Sequence, residues 1–275
     1  YSNGKTLDLS RTNIKKFKVF RIWSNITFPT SIEYVYLDQA KYLPTFLAGS
    51  DNMRELHIVY NFANHTEAQW NTFMPNVALL SNLEYFRIGM DPAFKFSHLE
   101  YLKDLTNLKT FVYDTSWNWG DYDIDKVDLN GIGNLKYATN IQILNLKYLY
   151  DISDIANCTS LQNLTISNSA VSNISSVSGL TNLTKLDLNN NAINDVYPLR
   201  NLTKLKELNL KNNVLSDFSS STNENGNVVN YETMDIFYDL NHEKQGALEK
   251  LNISGNNYDD AEILLDLTWT EKIGF

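Results

Sequence analysis

The phrase L-T-x-L-x-x-L-x-L-x-x-N occurs twice, as "LTNLTKLDLNNN" from Leu180 and as "LTKLKELNLKNN" from Leu202, 22 residues apart. A chain that repeats itself at a fixed interval builds the same small structural unit again, and such units bury their apolar faces on one another. A third copy precedes these two. Leu161, Leu164 and Ile166 match Leu183, Leu186 and Leu188, which match Leu205, Leu208 and Leu210. Between the strand phrases Ile152, Ile174 and Val196 align, as do Ile155, Val177 and Leu199. Cys158 falls in register with Leu180 and Leu202, so it reads as a small buried hydrophobe and not as a nucleophile.

Weaker copies extend the pattern in both directions: "TLDLS" (6–10), "IEYVYLD" (32–38), "MRELHIV" (53–59), "LEYFRIG" (83–89), "LKTFVYD" (108–114), "IQILNLK" (141–147) and "LEKLNIS" (248–254). This period and pattern are the leucine-rich repeat signature. They predict an α/β leucine-rich repeat solenoid (horseshoe) with a parallel concave β-sheet and convex helices or turns. The residue three past the last apolar position, Thr12, Asn61, Asp91, Ser116, Ser169, Asn191, Asn213 or Asn256, is predicted to form an inward polar ladder. Without it, turn N–H and C=O groups would be buried unpaired. Ala40 and Leu149 interrupt that ladder.

The domain reading is one leucine-rich repeat domain over 1–275. It comprises irregular long repeats over 1–140, regular repeats over 141–217, an insertion over 218–247, and a last repeat with C-terminal cap over 248–275. In the long repeats, Thr66 with Gln69 forms a capping-box pair ahead of Trp70, Phe73, Met74 and Val77 at helical spacing, and Pro75 predicts a kink or early end. Ser97 with Glu100 reads as a second such start, with Leu99, Leu102 and Leu105 inward.

Residues 141–217 resemble the 22-residue repeats of bacterial internalin-like surface proteins, including the "LTNL" and "NDVYPL" segments. The resemblance implies a secreted or cell-surface protein-binding module of a bacterium, without catalysis or cofactor. The alternative is an intracellular scaffold, similar to the 22-residue repeat proteins that regulate a partner phosphatase.

Composition narrows the partner. The 275 residues carry 32 acidic and 23 basic side chains, a net charge of −9, which excludes the basic footprint of a nucleic-acid binder. No apolar run reaches the roughly 20 residues of a membrane-spanning helix. Residues 1–20 hold no signal-peptide core. With Cys158 alone, no intramolecular disulfide forms. Sequons such as Asn182 and Asn201 are mostly the repeat phrase "NLT" itself, so glycosylation is a weak reading.

Catalytic signatures (H-E-x-x-H, G-x-S-x-G, C-x-x-C and the phosphate-binding loop) are absent from the sequence. The carboxylates Asp121, Asp123, Asp125 and Asp128 alternate as calcium ligands do. However, Lys126 stands where an EF-hand needs glycine and Ile132 where it needs glutamate, so no metal site is expected. The remaining feature is the outward set of each strand, because side chains switch faces at every residue. It contains Tyr34, Tyr36, Glu55, His57, Tyr85 and Arg87 in the early units, with Trp117 and Trp119 as a rim. In the later units it contains Lys185, Asp187, Asn189, Glu207, Asn209 and Lys211. Tyrosine and arginine dominate interface hot spots, so the early patch is the expected site for a protein ligand, a host receptor among them, or a glycan.

Overall fold

In the computed structural model, the residues described are 5–59, 65–89, 91, 93–115, 128–216, 248–257 and 273–274. The insertion (218–247), the rim tryptophans Trp117 and Trp119, the carboxylates Asp121, Asp123 and Asp125, and ladder positions Asn61 and Ser116 lie outside them. The chain divides into two compact units, Tyr1–Leu144 and Asn145–Phe275.

The first unit holds β1 (Thr6–Asp8), β2 (Lys16–Ile22), β3 (Asn25–Phe28), β4 (Tyr34–Ala40), β5 (Thr45–Phe46), β6 (Glu55–Val59), β7 (Tyr85–Gly89), β8 (Thr110–Asp114) and β9 (Asn140–Leu144). Its main sheet runs β2-β4-β6-β7-β8-β9, with every pair parallel. A small parallel sheet, β1-β3-β5, accompanies it. The second unit holds β10 (Asn163–Ser167), β11 (Lys185–Asp187), β12 (Glu207–Asn209), β13 (Lys250–Asn252) and β14 (Ile273–Gly274), again parallel and in that order. Parallel strands joined in sequence order, each by a crossover, are what a stacked repeat requires.

The core follows the repeat. Leu164, Leu186, Leu208 and Leu251 stand in register and are essentially inaccessible, as are Ile166, Leu188, Leu210 and Ile253. Cys158 is buried among them, and burial pushes its thiol up to about 12, so it stays protonated and inert at neutral pH. In the first unit Phe86 and Phe111 take the place of leucine in the strands, and Phe28 and Trp70 are also inaccessible.

The polar ladder is present and makes specific bonds. Asn213 Nδ2 donates to Leu188 O (3.0 Å) and Leu210 O (2.9 Å), and its Oδ1 accepts from Ile193 N (3.0 Å). Asn191 and Asn256 repeat this arrangement one unit to either side. One ladder, read from the sequence, ties the end of its own strand to that of the strand before.

A second asparagine series escapes that pattern. Asn145, Asn168, Asn190 and Asn212 all adopt positive φ, between 52° and 64°, and Gly255 takes the equivalent place at 71°. The turn must pass through the left-handed region there, which asparagine and glycine tolerate best. Asn168 Nδ2 donates to Asn145 Oδ1 (2.8 Å), and Asn212 Nδ2 to Asn190 Oδ1 (2.7 Å).

This series corrects the register of "IQILNLK". Asn145 sits two residues past Ile143, as Asn168 sits two past Ile166. Ile141 and Ile143 are therefore the inward strand pair, and Ile141 pairs with Phe111. Buried Leu146 occupies the ladder position, and Leu149 is ordinary core aligned with Val171, Ile193 and Leu215.

Opposite the strands, α1 (Glu67–Val77) carries the full capping box of Thr66 and Gln69 and ends two residues after Pro75. The second expected helix start fails. Ser97 is not a cap: a 3-10 helix, Phe96–Leu102, begins after Lys95, whose N–H donates to His98 Nδ1 (2.9 Å). Leu99, Leu102 and Leu105 are nevertheless buried. In the 22-residue repeats, 3-10 helices follow Asp151, Asn173 and Asp195. Each Oδ1 accepts the N–H two residues on, at 2.8–2.9 Å. "TLDLS" forms β1 of the small sheet, and the first strand of the main sheet is "KFKVFRI" (β2), which lacks the leucine phrase.

Candidate binding face

The outward rows of the first unit follow from strand register. Tyr34 stands beside Glu55 and Glu55 beside Tyr85; one row along, Tyr36 stands beside His57 and His57 beside Arg87. All six expected site residues therefore share one face and touch. The His57 ring stacks on Tyr85 at 4.7 Å between centroids and lies 5.3 Å from Tyr34 and 5.5 Å from Tyr36.

β2 adds groups that the strand phrases did not identify. Lys18 Nζ sits 4.7 Å from the Tyr36 ring centroid, and Phe20, 59% exposed, packs on Tyr36 at 5.9 Å. The signal for these residues was the period-two alternation of "KFKVF". From β8, Asp114 accepts an ion-paired hydrogen bond from Arg87 (2.8 Å), which fixes the guanidinium against the face.

The electrostatics are those of a half-dry surface. Burial pushes the Tyr34, Tyr36 and Tyr85 phenols upward, so all three are neutral donors at physiological pH. Burial also raises the Asp38 carboxyl against the pull of Arg21, Arg87 and Lys18. His57 is pushed below its ordinary value, chiefly by burial, with Glu55 opposing and Arg87 and Lys18 reinforcing. Among the described residues neither buried His57 ring nitrogen makes a well-formed hydrogen bond, and Glu55 Oε2 lies 3.5 Å from Nε2.

The second unit presents a different face. A depression of about 340 Å³ runs over Lys185, Asp187, Glu207, Asn209, Lys250 and Asn252. Its polar groups are largely used internally. Glu207 bridges Lys185 (3.0 Å) and Lys250, and these lysines hold its carboxyl below the usual range. Asp187, Asn209 and Asn252 each accept the backbone N–H two residues on. Among the described residues no cluster of three or more histidine, cysteine or carboxylate groups could hold a metal ion.

With this geometry in place, likeness to known proteins is informative. Residues 181–223 match the family described as Leucine Rich repeats (2 copies). No match was found among curated proteins. Among solved structures, an internalin (InlF) from Listeria monocytogenes is 19% identical, with a TM-score of 0.54 over 91% of this chain and 73% of that one. The functional domain of InlJ from the same species is 17% identical, with a TM-score of 0.54 over 90% of this chain and 47% of its own. A TDR receptor, 15% identical, reaches 0.52 over 89% and 39%. The fold is a leucine-rich repeat solenoid. Such solenoids serve as protein-interaction modules. No helix among the described residues is long and apolar enough to cross a membrane.

Proposed function

We propose that this chain is a non-catalytic binding module of a bacterial secreted or cell-surface protein, and that it takes a protein ligand on the outward face of β4, β6 and β7. The observation that carries this reading is the contiguous cluster of Tyr34, Tyr36, His57, Tyr85 and Arg87, with Glu55 at its edge. Tyrosine offers a large rigid contact area at low entropy cost. Arg87, already held by Asp114, is oriented for a partner carbonyl or carboxylate. The unsatisfied His57 nitrogens offer a further polar contact to a ligand group that displaces a tyrosine edge. Export fits the likeness to internalins and is tested by fractionating cells that carry the gene: protein in the medium or envelope supports it, and protein confined to the cytosol favours a regulator of a partner enzyme.

The binding site is tested by calorimetric titration of a ligand captured from host-cell or cell-wall extracts. Tyr36→Ala and Arg87→Ala should each weaken binding by about 1–4 kcal/mol with folding intact. Asn209→Ala, on the self-satisfied face of the second unit, should change it far less. Full affinity in both Tyr36→Ala and Arg87→Ala would remove the site from this face. A captured polysaccharide with the same dependence would replace protein by glycan.

A further inference from the structure

Strand β2 is an edge: among the described residues it pairs with β4 alone. Lys15 C=O accepts the Tyr34 N–H (3.0 Å). From that bond the alternation of a parallel ladder turns the backbone groups of Phe17 and Val19 toward β4 and those of Lys16, Lys18 and Phe20 away from it. The outer side of β2 is thus a row of N–H and C=O groups that faces no strand among the described residues. β1 lies likewise at the end of the small sheet, with each of its three residues exposed.

Natural sheets blunt such edges with prolines, bulges, short strands or charged side chains, lysine especially. In β2 Lys16 and Lys18 serve in that way, against self-pairing. β2 is seven residues long and has no proline, and only Arg21, at a φ of 58°, interrupts its extended run. Its inward residues Phe17 and Val19 are half-buried, whereas the equivalent Val35 and Leu37 of β4 are inaccessible. Among the described residues the apolar layer under β2 is therefore incompletely covered.

Charge selects the occupant. From Leu9 to Ile32 the chain has no carboxylate and five bases, Arg11, Lys15, Lys16, Lys18 and Arg21, within a protein of net charge −9. Lys15 is already paired with Glu33 (2.9 Å), so the charge that selects a partner along the strand is that of Lys16 and Lys18. Lys16 and Lys18 project on the outward face of the edge strand itself. A second copy paired β2 to β2 would set these lysines against each other, which disfavours self-pairing.

We infer that β2 accepts an acidic, extended segment of a partner protein as an added strand, with its carboxylates over Lys16 and Lys18 and its alternate apolar residues over Phe17 and Val19. Main-chain bonds supply the affinity and the side-chain alternation the specificity. This surface meets the aromatic face at Lys18 and Phe20, which pack on Tyr36, but its test reads the backbone amides of β2 and does not depend on that proposal.

The probe is a fluorescein-labelled peptide alternating glutamate and valine, matched to the seven residues of β2. Fluorescence anisotropy against the full chain should show saturable binding that weakens with salt. Hydrogen exchange should show new protection at the amides of Lys16, Lys18 and Phe20. A peptide N-methylated on its pairing edge, and one with lysine for glutamate, should each bind at least tenfold more weakly. The double variant Lys16→Glu with Lys18→Glu should do the same for the original peptide while keeping its melting temperature. The inference is overturned by no binding, by equal binding of the N-methylated peptide, or by protection elsewhere. It is also overturned if sedimentation shows copies of the chain associating through β2.

Discussion

At the scale of single residues, the solenoid depends on amides doing what backbone cannot. Asn213 is buried, donates to carbonyls of its own repeat and of the one before, and accepts the Ile193 N–H. Asn213→Ala should cost about 1–3 kcal/mol for each backbone group left without a partner, read by urea denaturation. Asn213→Asp should cost more, because a carboxylate cannot donate to Leu188 O and Leu210 O. Equal stability of all three forms would show that the ladder contributes nothing. His57 supplies a second residue-level test. Its folded value is lowered, so between the unfolded value of about 6.5 and that lower value the unfolded chain binds more protons than the folded one. Stability must therefore fall as pH drops through this window. His57→Gln should flatten the slope of stability between neutral and mildly acidic pH. Some slope should remain, because burial also lowers His98. An unaltered slope would mean that His57 does not titrate in this way.

At the scale of elements, what could be read in the sequence depended on whether a local rule carried the information. α1 was readable because its cap is local: Gln69 N donates to Thr66 Oγ1 and Thr66 N to Gln69 Oε1. Thr66→Ala should cost about 0.5–2 kcal/mol, measured by thermal or urea unfolding, with the larger part recovered in Thr66→Ser. No change would mean that packing of Trp70 and Phe73 alone holds the helix. Ser97 with Glu100 obeyed the same pattern and failed, because Phe96 and His98 are drawn into the aromatic core and the chain tightens into a 3-10 turn. β2 was missed for the opposite reason. At an end of its sheet it needs only half a buried face, so phenylalanine and valine alternate with lysine and no leucine phrase arises. That gap leaves Lys18 and Phe20 off the expected face, whereas Tyr34, Tyr36, Glu55, His57, Tyr85 and Arg87 fall on one face because leucine positions fix the register of their strands. The slip at "IQILNLK" has a sharper cause: Leu144 and Leu146 imitate the strand leucines, and only the left-handed turn at Asn145 separates the two registers.

At the scale of the whole molecule, a repeat architecture lets each unit touch only its neighbours, so stability accumulates through nearest-neighbour burial. The row Leu164, Leu186, Leu208 and Leu251 shows how this works within the second unit: each side chain is inaccessible only because the flanking strands cover it. Leu186 has a covered neighbour on both sides, and its strand is three residues long, with little else to hold it. Leu186→Ala should therefore cost about 2–5 kcal/mol, combining lost transfer energy with the cavity left behind. Asp187, one residue on, points outward yet accepts two bonds from Asn189, so Asp187→Ala should cost less but not nothing. Hydrogen exchange on Leu186→Ala should show the loss of protection spreading from β11 into β10 and β12, because each shares its ladder and its leucine contact. Protection lost in β11 alone would mean that the repeats are held individually and not by stacking. An unchanged melting temperature would mean that Leu186 is not where the 22-residue register places it.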